Sequence, residues 1–493
     1  MGIKRYTAYK DNTITNAFEP NLQTRATGAN MGLADSLAVF SIFAQESSAS
    51  LEASRVLVQF PVSSSDTGTT ILADRAAGKI PVSGSVNFYL RLFNVATGQT
   101  LPKDFTLNVS PVSQSWEEGY GLDMDEYKDQ TYGGTGSNWI NARAHTAWTN
   151  EGGDYLTASV YANYNYAQTF YDGTEDLKID ITDLVEQWIT GTAGGGYENY
   201  GVGVFLTCSQ ELCQPPNPSS RSYYTKHFSA RESEFFFSRP IIEAQWDSTR
   251  KDNRGNFIVS SSALNAADNL NNLYLYNYVR GQPTDINGIG TGSIYVRIYT
   301  SSSAGQEIAT TPNSPVTGAW VAPGLYSASF AIDTTQEVVY DRWFNAAGSV
   351  VYRTASFMPQ TFSPSDIFNI PKYVTSITNL LSSYCREDIN RMRVFTREKN
   401  WNDTIYTRAV AAVQLTVVDD AYYKIFRVVD GKTVIDYGTG SINHTRLSYD
   451  SSGSYFDLDM SLLEAGYKYG IKFAYLTNTI YEEQPDIFTF KVE

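Results

Sequence analysis

The stretch from Leu177 to Leu206 places the tightest constraint on what this chain can fold into. It reads LKIDITDLVEQWITGTAGGGYENYGVGVFL, which predicts a strand, a short helix, a glycine-rich loop and a second strand. Ile179 and Ile181 continue an alternation of apolar and polar residues that starts at Leu177, as in a half-buried strand. The second strand, predicted over 200–207, directs three apolar side chains to one side: Val202, Val204 and Leu206. This pattern predicts two sheet strands joined by one helix.

The short helix between these strands is predicted to be an apolar plug. Four residues share one helical face: Leu184, Val185, Trp188 and Ile189. Asp180, Thr182 and Asp183 are each able to cap the first turn. Glu186 follows Asp183 at the spacing of a capping box, and Gly191 suits the left-handed position that ends a helix. We therefore predict that the helix closes one end of a β-sandwich, with Trp188 as its largest core group.

Short runs of alternating apolar residues, separated by turn residues, recur along the chain. They lie at 56–60, 86–92, 105–109, 274–278, 294–298, 324–332, 337–343, 456–458, 469–473 and 488–492. Helical patterns are scarce elsewhere. The pattern predicts an all-β protein, and from residue 257 onward the strand spacing is typical of immunoglobulin-like sandwiches.

A chain of 493 residues is too long for one β-domain. The segment 247–256, DSTRKDNRGN, is charged and turn-rich, and residues 358–372 carry three prolines without alternation. Both are predicted linkers. The predicted order is an N-terminal arm with the first strand at 1–50, a sandwich at 51–246, and immunoglobulin-like domains at 257–358 and 373–493.

The predicted arm is polar and shows little alternation. A short apolar cluster at 39–43 is its main exception. We predict that the segment from Val39 onward forms a strand of the first sandwich. The part before it is expected to contact a neighbouring subunit. In the alternative, the apolar cluster itself docks on a neighbouring subunit and becomes ordered on assembly.

Composition excludes some function classes. The net charge is −15 and the pI is about 4.8, which argues against a nucleic-acid surface, because phosphate binding needs a clustered basic face. The longest apolar run, near 409–418, is about half of a membrane span, so no membrane insertion is expected. Cys208, Cys213 and Cys385 form no even-numbered disulfide framework, which favours folding in a reducing cytosol.

Six segments of the first 246 residues, together with the region of Trp148, follow the order of a known domain family. They are RVLVQFPV (55–62), SGSVNFYLRLFNV (83–95), LNVSPVSQSWEEG (107–119), DITDLVEQWITG (180–191), NYGVGVFL (199–206) and FSARESEFFFSRPIIEAQW (228–246). In these segments the chain resembles the DNRLRE-type domain, a carbohydrate-binding-module-like jelly roll. The resemblance implies an N-terminal jelly-roll β-sandwich with one short helix. Only Ala230–Arg231–Glu232 keeps part of the family's acidic-arginine signature, so the resemblance implies architecture and does not extend to sugar binding.

The opening MGIKRYTAYKDNTITNAF (1–18) is similar to that of virion structural proteins of tailed bacteriophages, especially marine ones. In those proteins such a domain leads and immunoglobulin-like domains follow. GAWVAPGLYSASFAI (318–332) resembles one of these appended domains.

An acidic run after Trp116 is the best candidate for metal chemistry. Asp123, Asp125 and Asp129 have the oxygen ligands that calcium prefers. Lys128 and Gly134 stand where an EF-hand needs a glycine and a bidentate glutamate, which excludes that motif. A looser calcium site and a solvated loop are the two interpretations, of which we favour the loop.

Two aromatic clusters are candidates for contact with a sugar or a protein partner. They contain Tyr161, Tyr164 and Tyr166, and separately Tyr223 and Tyr224. Aromatic rings stack on sugars and also anchor protein interfaces. In a chain with 35 tyrosines, core packing and protein interfaces are the favoured interpretation.

The predicted function is that of a non-enzymatic structural protein of a tailed-phage virion, assembled in the host cytoplasm. It would act as a neck, collar, tail or capsid-surface component. Its predicted partners are other virion proteins and copies of itself, with no cofactor required. One alternative is a host-polysaccharide-binding module on the virion. A weaker alternative is a polysaccharide depolymerase, for which the sequence shows no catalytic constellation.

Overall fold

The computed structural model describes residues 2–46, 50–96, 101–122, 135–211, 222–303, 305–362, 371–401, 405 and 415–493. Over these residues the chain is an all-β protein, which confirms the predicted fold class. It divides into two compact units, Gly2–Asp247 and Ser248–Glu493. We call them the first unit and the second unit.

The first unit is a β-sandwich with two helices in its described residues. Its strands are β1 (Ile3–Thr7), β2 (Lys10–Thr15), β3 (Ser36–Phe43), β4 (Leu51–Gln59), β5 (Asn87–Leu92), β6 (Phe105–Pro111), β7 (Asn141–Arg143), β8 (Thr146–Ala147), β9 (Tyr166–Phe170), β10 (Leu177–Asp180), β11 (Val202–Leu206), β12 (Ser222–Ser229) and β13 (Ile241–Gln245). The helices are α1 (Ile71–Ala76) and α2 (Thr182–Thr190), and short 3-10 turns span Ser159–Tyr164, Thr192–Gly194 and Phe236–Ser238.

Two antiparallel sheets form the faces of this sandwich. One has the order β1-β13-β5-β10, and the other has the order β12-β3-β4-β11-β6-β9, with β2 also paired to β4. Fully buried residues of both sheets meet in one core, among them Leu90 and Ile242 from the first sheet and Val56 and Val204 from the second. Each of these residues belongs to an alternating run. Because apolar side chains recur at every second residue, they all point to the same side of the strand and form the core.

Helix α2 occupies the position predicted for the apolar plug. Its Trp188 is 1% exposed and packs in the same core as Leu184 and Val185, while Ile189 is half-buried against that core. The N-cap residue is Ile181, which makes no side-chain capping bond, and the preceding Asp180 accepts the Thr182 N–H at 3.0 Å. The expected capping box with Glu186 is wrong.

Glu186 instead binds the guanidinium of Arg75, with distances of 2.6 and 2.7 Å. Arg75 lies in α1, a helix that the sequence did not predict, so the described residues of the unit form two helices where one was expected. Thr70 caps α1 through the Ala73 N–H, and Ile71 buries its side chain in the core. A helix of six residues between serine- and threonine-rich turns shows too few periodic positions to be recognised.

The predicted N-terminal arm is part of both sheets. Strand β1 pairs with β13, from Ile3 opposite Gln245 to Thr7 opposite Ile241, and β2 pairs with β4 over its whole length. This part is therefore built into the sheets and is not a loose arm, whereas its contact with a neighbour stays a prediction. The hydropathy pattern did not predict strand β2, because the residues that β2 buries are polar: Asp11, Asn12, Thr13 and Thr15. The predicted strand from Val39 onward is present as part of β3.

The second unit contains two groups of strands, which are named here in chain order. The first group is β14 (Asn271–Tyr276), β15 (Tyr278–Val279), β16 (Gln282–Pro283), β17 (Ile294–Tyr299), β18 (Glu307–Ile308), β19 (Thr310–Thr311), β20 (Val316–Ala322), β21 (Leu325–Ile332), β22 (Val339–Phe344) and β23 (Val351–Phe357). The second group is β24 (Tyr373–Ile377), β25 (Ser383–Tyr384), β26 (Ile389–Glu398), β27 (Ala421–Arg427), β28 (Thr433–Ile435), β29 (Ser448–Asp450), β30 (Gly453–Asp459), β31 (Lys468–Thr477), β32 (Ile480–Glu483) and β33 (Phe488–Val492).

Each group encloses its own core. In the first group the strand order is β14-β21-β20-β17-β22-β23, around fully buried Val296, Phe330 and Trp343. In the second, the sheet β24-β26-β30-β29 accompanies the sheet β25-β33-β31-β27-β28, and Tyr423 stacks on Phe456 at 4.3 Å between ring centroids. Alternating apolar residues supply both cores, as the sequence predicted.

The segment 248–256, which we call the junction segment, bonds to both groups. Asp252 donates its N–H to the carbonyl of Tyr449 in β29, and Tyr449 donates to the carbonyl of Arg250. Arg254 binds Asp341 of β22 through two bonds of 2.8 Å, and Asp341 is fully buried. The sequence predicted a linker here because the segment is charged and turn-rich. Of its charged side chains, Arg254 pairs with a neighbouring strand, and Lys251 Nζ lies 3.9 Å from the carboxylate of Asp419.

Candidate functional site

A network of charged side chains lies where β2 begins in the first unit. Asp11 is fully buried and accepts the backbone N–H of Arg231 at 2.5 Å. Its own N–H donates to Glu118 Oε1 at 2.9 Å. The guanidinium of Arg231 closes the triangle with bonds of 3.0 and 3.1 Å to the two oxygens of Glu118. Three distant parts of the sequence thus meet at one point.

Asn30 holds the segment that carries Glu118. Its Nδ2 donates to the carbonyls of Glu118 and Ser137, and its Oδ1 accepts the N–H of Gly121. Gly119 has a φ of +89°, and a Cβ at that position would lie 2.2 Å from the Asn30 side chain. Glycine is required here by both the backbone conformation and the close approach.

Burial sets the protonation of this network. It raises the pKa of Asp11 to about 7, against the lowering effect of the Arg231 N–H, and the charge of Glu118 raises it further. Burial also raises the pKa of Glu118, while the Asp11 N–H and Arg231 act in the opposite direction. Within the described chain, Asp11 Oδ1 is buried and has no hydrogen-bond partner. Because Asp11 is shielded from solvent, its proton governs the stability of the network rather than contact with a ligand.

Two adjoining clefts open beside this network. The larger, of about 620 Å³, is lined by residues 7–10, Thr67, Glu118, Arg231, Glu232 and Arg239. The smaller, of about 260 Å³, is lined by residues 4–7, Tyr9, Pro61 and residues 67–69. They share Thr7, Tyr9 and Thr67, so we treat them as one surface and call it the N-terminal groove. Clefts that combine charged groups with displaced pKa values are the first places to look for a binding site.

Lys10 and Arg239 are distinctive among the basic residues of the groove. Lys10 Nζ donates to Gln59 Oε1 and to the Trp116 carbonyl, each at 3.2 Å. Arg239 Nε donates to the Ser233 carbonyl at 2.9 Å. All these acceptors are neutral, and in the described part of the chain neither cation has an ion pair. Burial lowers the pKa of Lys10, and the charges of nearby acids, Glu118 foremost, act to raise it.

The predicted aromatic clusters occupy two separate places. Tyr161 and Tyr164 both meet Tyr197 edge-to-face, with ring centroids 5.5 Å apart in each pair. The sequence analysis did not single out Tyr197. Tyr166 packs against the core, and burial raises the pKa of its hydroxyl group.

The second cluster lies on β12. Tyr223 is 57% exposed, whereas Tyr224 is half-buried and lies 6.3 Å from the ring of Phe105. The two neighbours therefore face opposite sides of the strand, and only Tyr223 presents its ring to solvent.

The calcium candidates Asp123, Asp125 and Asp129 lie outside the described residues. Of the acidic run that precedes them, Glu118 belongs to the network above. Glu117 is bonded to other partners than Glu118: its carboxylate accepts the N–H groups of Ala144 and Gly136 at 3.2 and 3.4 Å. The described ranges contain no group of three histidine, cysteine or carboxylate side chains able to hold a metal ion.

The groove was not found from the sequence, although one signal pointed to it. Residues 4–10 were assigned to a polar arm, and Arg239 lies in the segment 228–246 but was not singled out there. The retained Ala230–Arg231–Glu232 motif was noted, and in the structure Arg231 is the residue that joins Asp11 to Glu118. A buried aspartate in a polar strand cannot be predicted from the alternation of apolar residues, because neither the aspartate nor its neighbours are apolar.

Comparison of the chain with protein-family models and with curated proteins gives no match. In the part of the chain that the structure describes, no helix has the length and apolar character needed to cross a membrane.

Proposed function

We propose that this chain is a non-enzymatic structural protein of a tailed-phage virion. It assembles through contacts with other virion proteins and with copies of itself, as a neck, collar, tail or capsid-surface component. The similarity of residues 1–18 to such proteins motivates the assignment to a virion. The junction segment is the structural observation that supports a scaffold role.

The junction segment makes the second unit a stiff element. Arg254 and Asp341 form a two-bonded ion pair, in which Asp341 also accepts the Trp343 indole N–H at 2.5 Å. On the other side, the backbone of residues 250–252 is bonded to Tyr449 in both directions. A segment tied to both sandwiches restrains their relative motion. Fixed spacing between binding surfaces is what a repeated position in a particle requires.

Exposed apolar side chains supply contact surfaces on the same unit. They cluster in the β15–β16 hairpin, at the start of the edge strand β23 and in β32: Tyr278, Val279, Val350, Val351, Ile480 and Tyr481. Their exposed fractions range from 46% to 62%. Edge strands and aromatic groups of this kind are typical of surfaces that bind other proteins.

A reconstruction of the intact particle tests the proposal directly. We expect density for both units at positions related by the symmetry of the particle, with the β32 surface in contact with a neighbouring protein. A Val351→Lys or Ile480→Lys variant should fold and yet be depleted from purified particles. A Val160→Lys variant, changed at a residue that is 74% exposed in the first unit, is the matched control. Absence of the wild-type chain from purified particles would overturn the proposal.

A further inference from the structure

Strand β1 forms one edge of its sheet and lines the N-terminal groove. In the described sheets it pairs with β13 alone. Trp246 donates its N–H to the Gly2 carbonyl, and Ala8 donates to the Pro240 carbonyl. These bonds show that the even-numbered residues of the strand direct their backbone N–H and C=O groups toward β13. Ile3 and Thr7 therefore direct their backbone groups to the opposite edge, where the smaller cleft lies.

The wall opposite β1 is already fixed. Asp66 accepts the N–H groups of Val62 and Ser63 at 2.9 and 2.7 Å, and also the side-chain amide of Asn199 at 2.8 Å. Its other oxygen accepts the hydroxyl of Tyr9 at 3.0 Å. Loop 61–69 and the β1–β2 corner are thus joined by a rigid carboxylate. A groove that is formed before binding loses little entropy when a ligand enters.

The charges along the groove favour an acidic ligand, although the whole chain is acidic. Arg5 is held by Glu243 on the sheet, and Arg231 is held by Glu118. Lys10 and Arg239 bond neutral oxygens, so they retain charge that a ligand carboxylate is able to neutralise. Such a carboxylate would also offset the burial that lowers the pKa of Lys10.

We propose that the N-terminal groove binds an extended acidic peptide of a neighbouring virion protein. The peptide adds to β1 as a further strand and places its carboxylates against Lys10 and Arg239. Strand β1 has five residues, so the added strand spans about 17 Å. Addition of a strand to an exposed edge takes its affinity from main-chain bonds and its specificity from flanking side chains.

The identity of the partner rests on the proposed virion role, whereas the chemistry of the groove does not. The probe is therefore a synthetic peptide, acetyl-Glu-Thr-Val-Thr-Glu-amide, added to the full-length chain. We expect calorimetric binding that weakens as ionic strength rises, with slower hydrogen exchange in residues 3–7. Lys10→Gln and Arg239→Gln should each weaken binding about tenfold, since each removes a charged hydrogen bond. Arg143→Gln, at an exposed arginine outside the groove, should leave it unchanged.

An analogue of the peptide that is N-methylated at every residue keeps the charges but has no backbone N–H with which to pair along either edge. We expect it not to bind. Equal binding of this analogue, or unchanged hydrogen exchange in residues 3–7, would overturn strand addition. Binding of trigalacturonate in place of the peptide would assign the groove to acidic saccharides and would also overturn the proposal. Peptide binding by a chain that is absent from particles would refute the virion role alone.

Discussion

Replacement of Asp11 by asparagine should change how the stability of the first unit depends on pH. The pKa of Asp11 in the folded protein is raised from 3.8 to about 7. Between these two values the folded state holds a proton that the unfolded state has lost. The free energy of unfolding contributed by this residue therefore falls as the pH rises from about 4 to about 7. Above pH 7 the full penalty of the buried charge is present.

The magnitude follows from the displacement of the pKa. A difference of about 3 between the two states corresponds to about 4 kcal/mol. At pH 4 the aspartic acid is neutral, like asparagine, so the Asp11→Asn variant and the wild type should differ by about 1 kcal/mol or less. At pH 8 the variant should be more stable than the wild type by up to about 4 kcal/mol.

Hydrogen exchange of the β2 amides in the full-length chain, measured at a series of pH values, reports this difference for the first unit alone. Asp172→Asn is the control, because the side chain of Asp172 is 72% exposed and pairs with Lys103 on the surface. Its effect should stay within about 0.5 kcal/mol at every pH. If the difference between Asp11→Asn and the wild type were the same at pH 4 and pH 8, the assigned role of burial would be wrong.

Three further predictions concern packing and pairing. Trp188→Ala should lower the free energy of unfolding of the first unit by about 3–5 kcal/mol, because it leaves a cavity in the core; urea denaturation followed by fluorescence measures this. Arg254→Met should destabilise the second unit by about 3 kcal/mol, since it leaves Asp341 buried beside Trp343 without its cation, as thermal unfolding should show. Deletion of residues 2–15 should unfold the first unit, because it removes β1 and β2, and near-ultraviolet circular dichroism tests this.

The two substitutions among these predictions each have a matched comparison. Val160→Ala and Arg280→Met alter exposed residues of the respective units and should change stability by about 0.5 kcal/mol or less. A Trp188 or Arg254 variant with the same small effect as its control would show that the side chain is not the core or pairing group described above. A folded first unit after the deletion would show that β1 and β2 are dispensable for the sandwich.

The sequence predicted elements whose buried residues are apolar and regularly spaced. Leu177 and Val204 lie in strands whose inward positions repeat every second residue, and Trp188 lies on a helix with a continuous apolar face. In such elements, burial and hydropathy agree, so the pattern alone identifies the face that enters the core.

Other elements were missed because their burial rests on hydrogen bonds. Asn12 is fully buried in β2, where its side chain donates to Ser137 and accepts the N–H of Met31. These partners lie far apart in the sequence, so nothing in the residues around Asn12 marks it as interior. The groove depends in the same way on Arg231 meeting Glu118, a contact that only the folded chain creates.

The pairing of β1 with β13 has a consequence for the order of events during synthesis. Ile3 pairs with Gln245, so β1 leaves the ribosome well before β13, the strand with which it pairs. At translation rates of 5–20 residues per second, that interval is roughly 10 to 50 s. Early in this interval β2 is able to pair with β4. Strand β1 remains unpaired until β13 has been synthesised. The first unit therefore completes its four-stranded sheet only at the end of its own synthesis, and its two ends are side by side once it has done so.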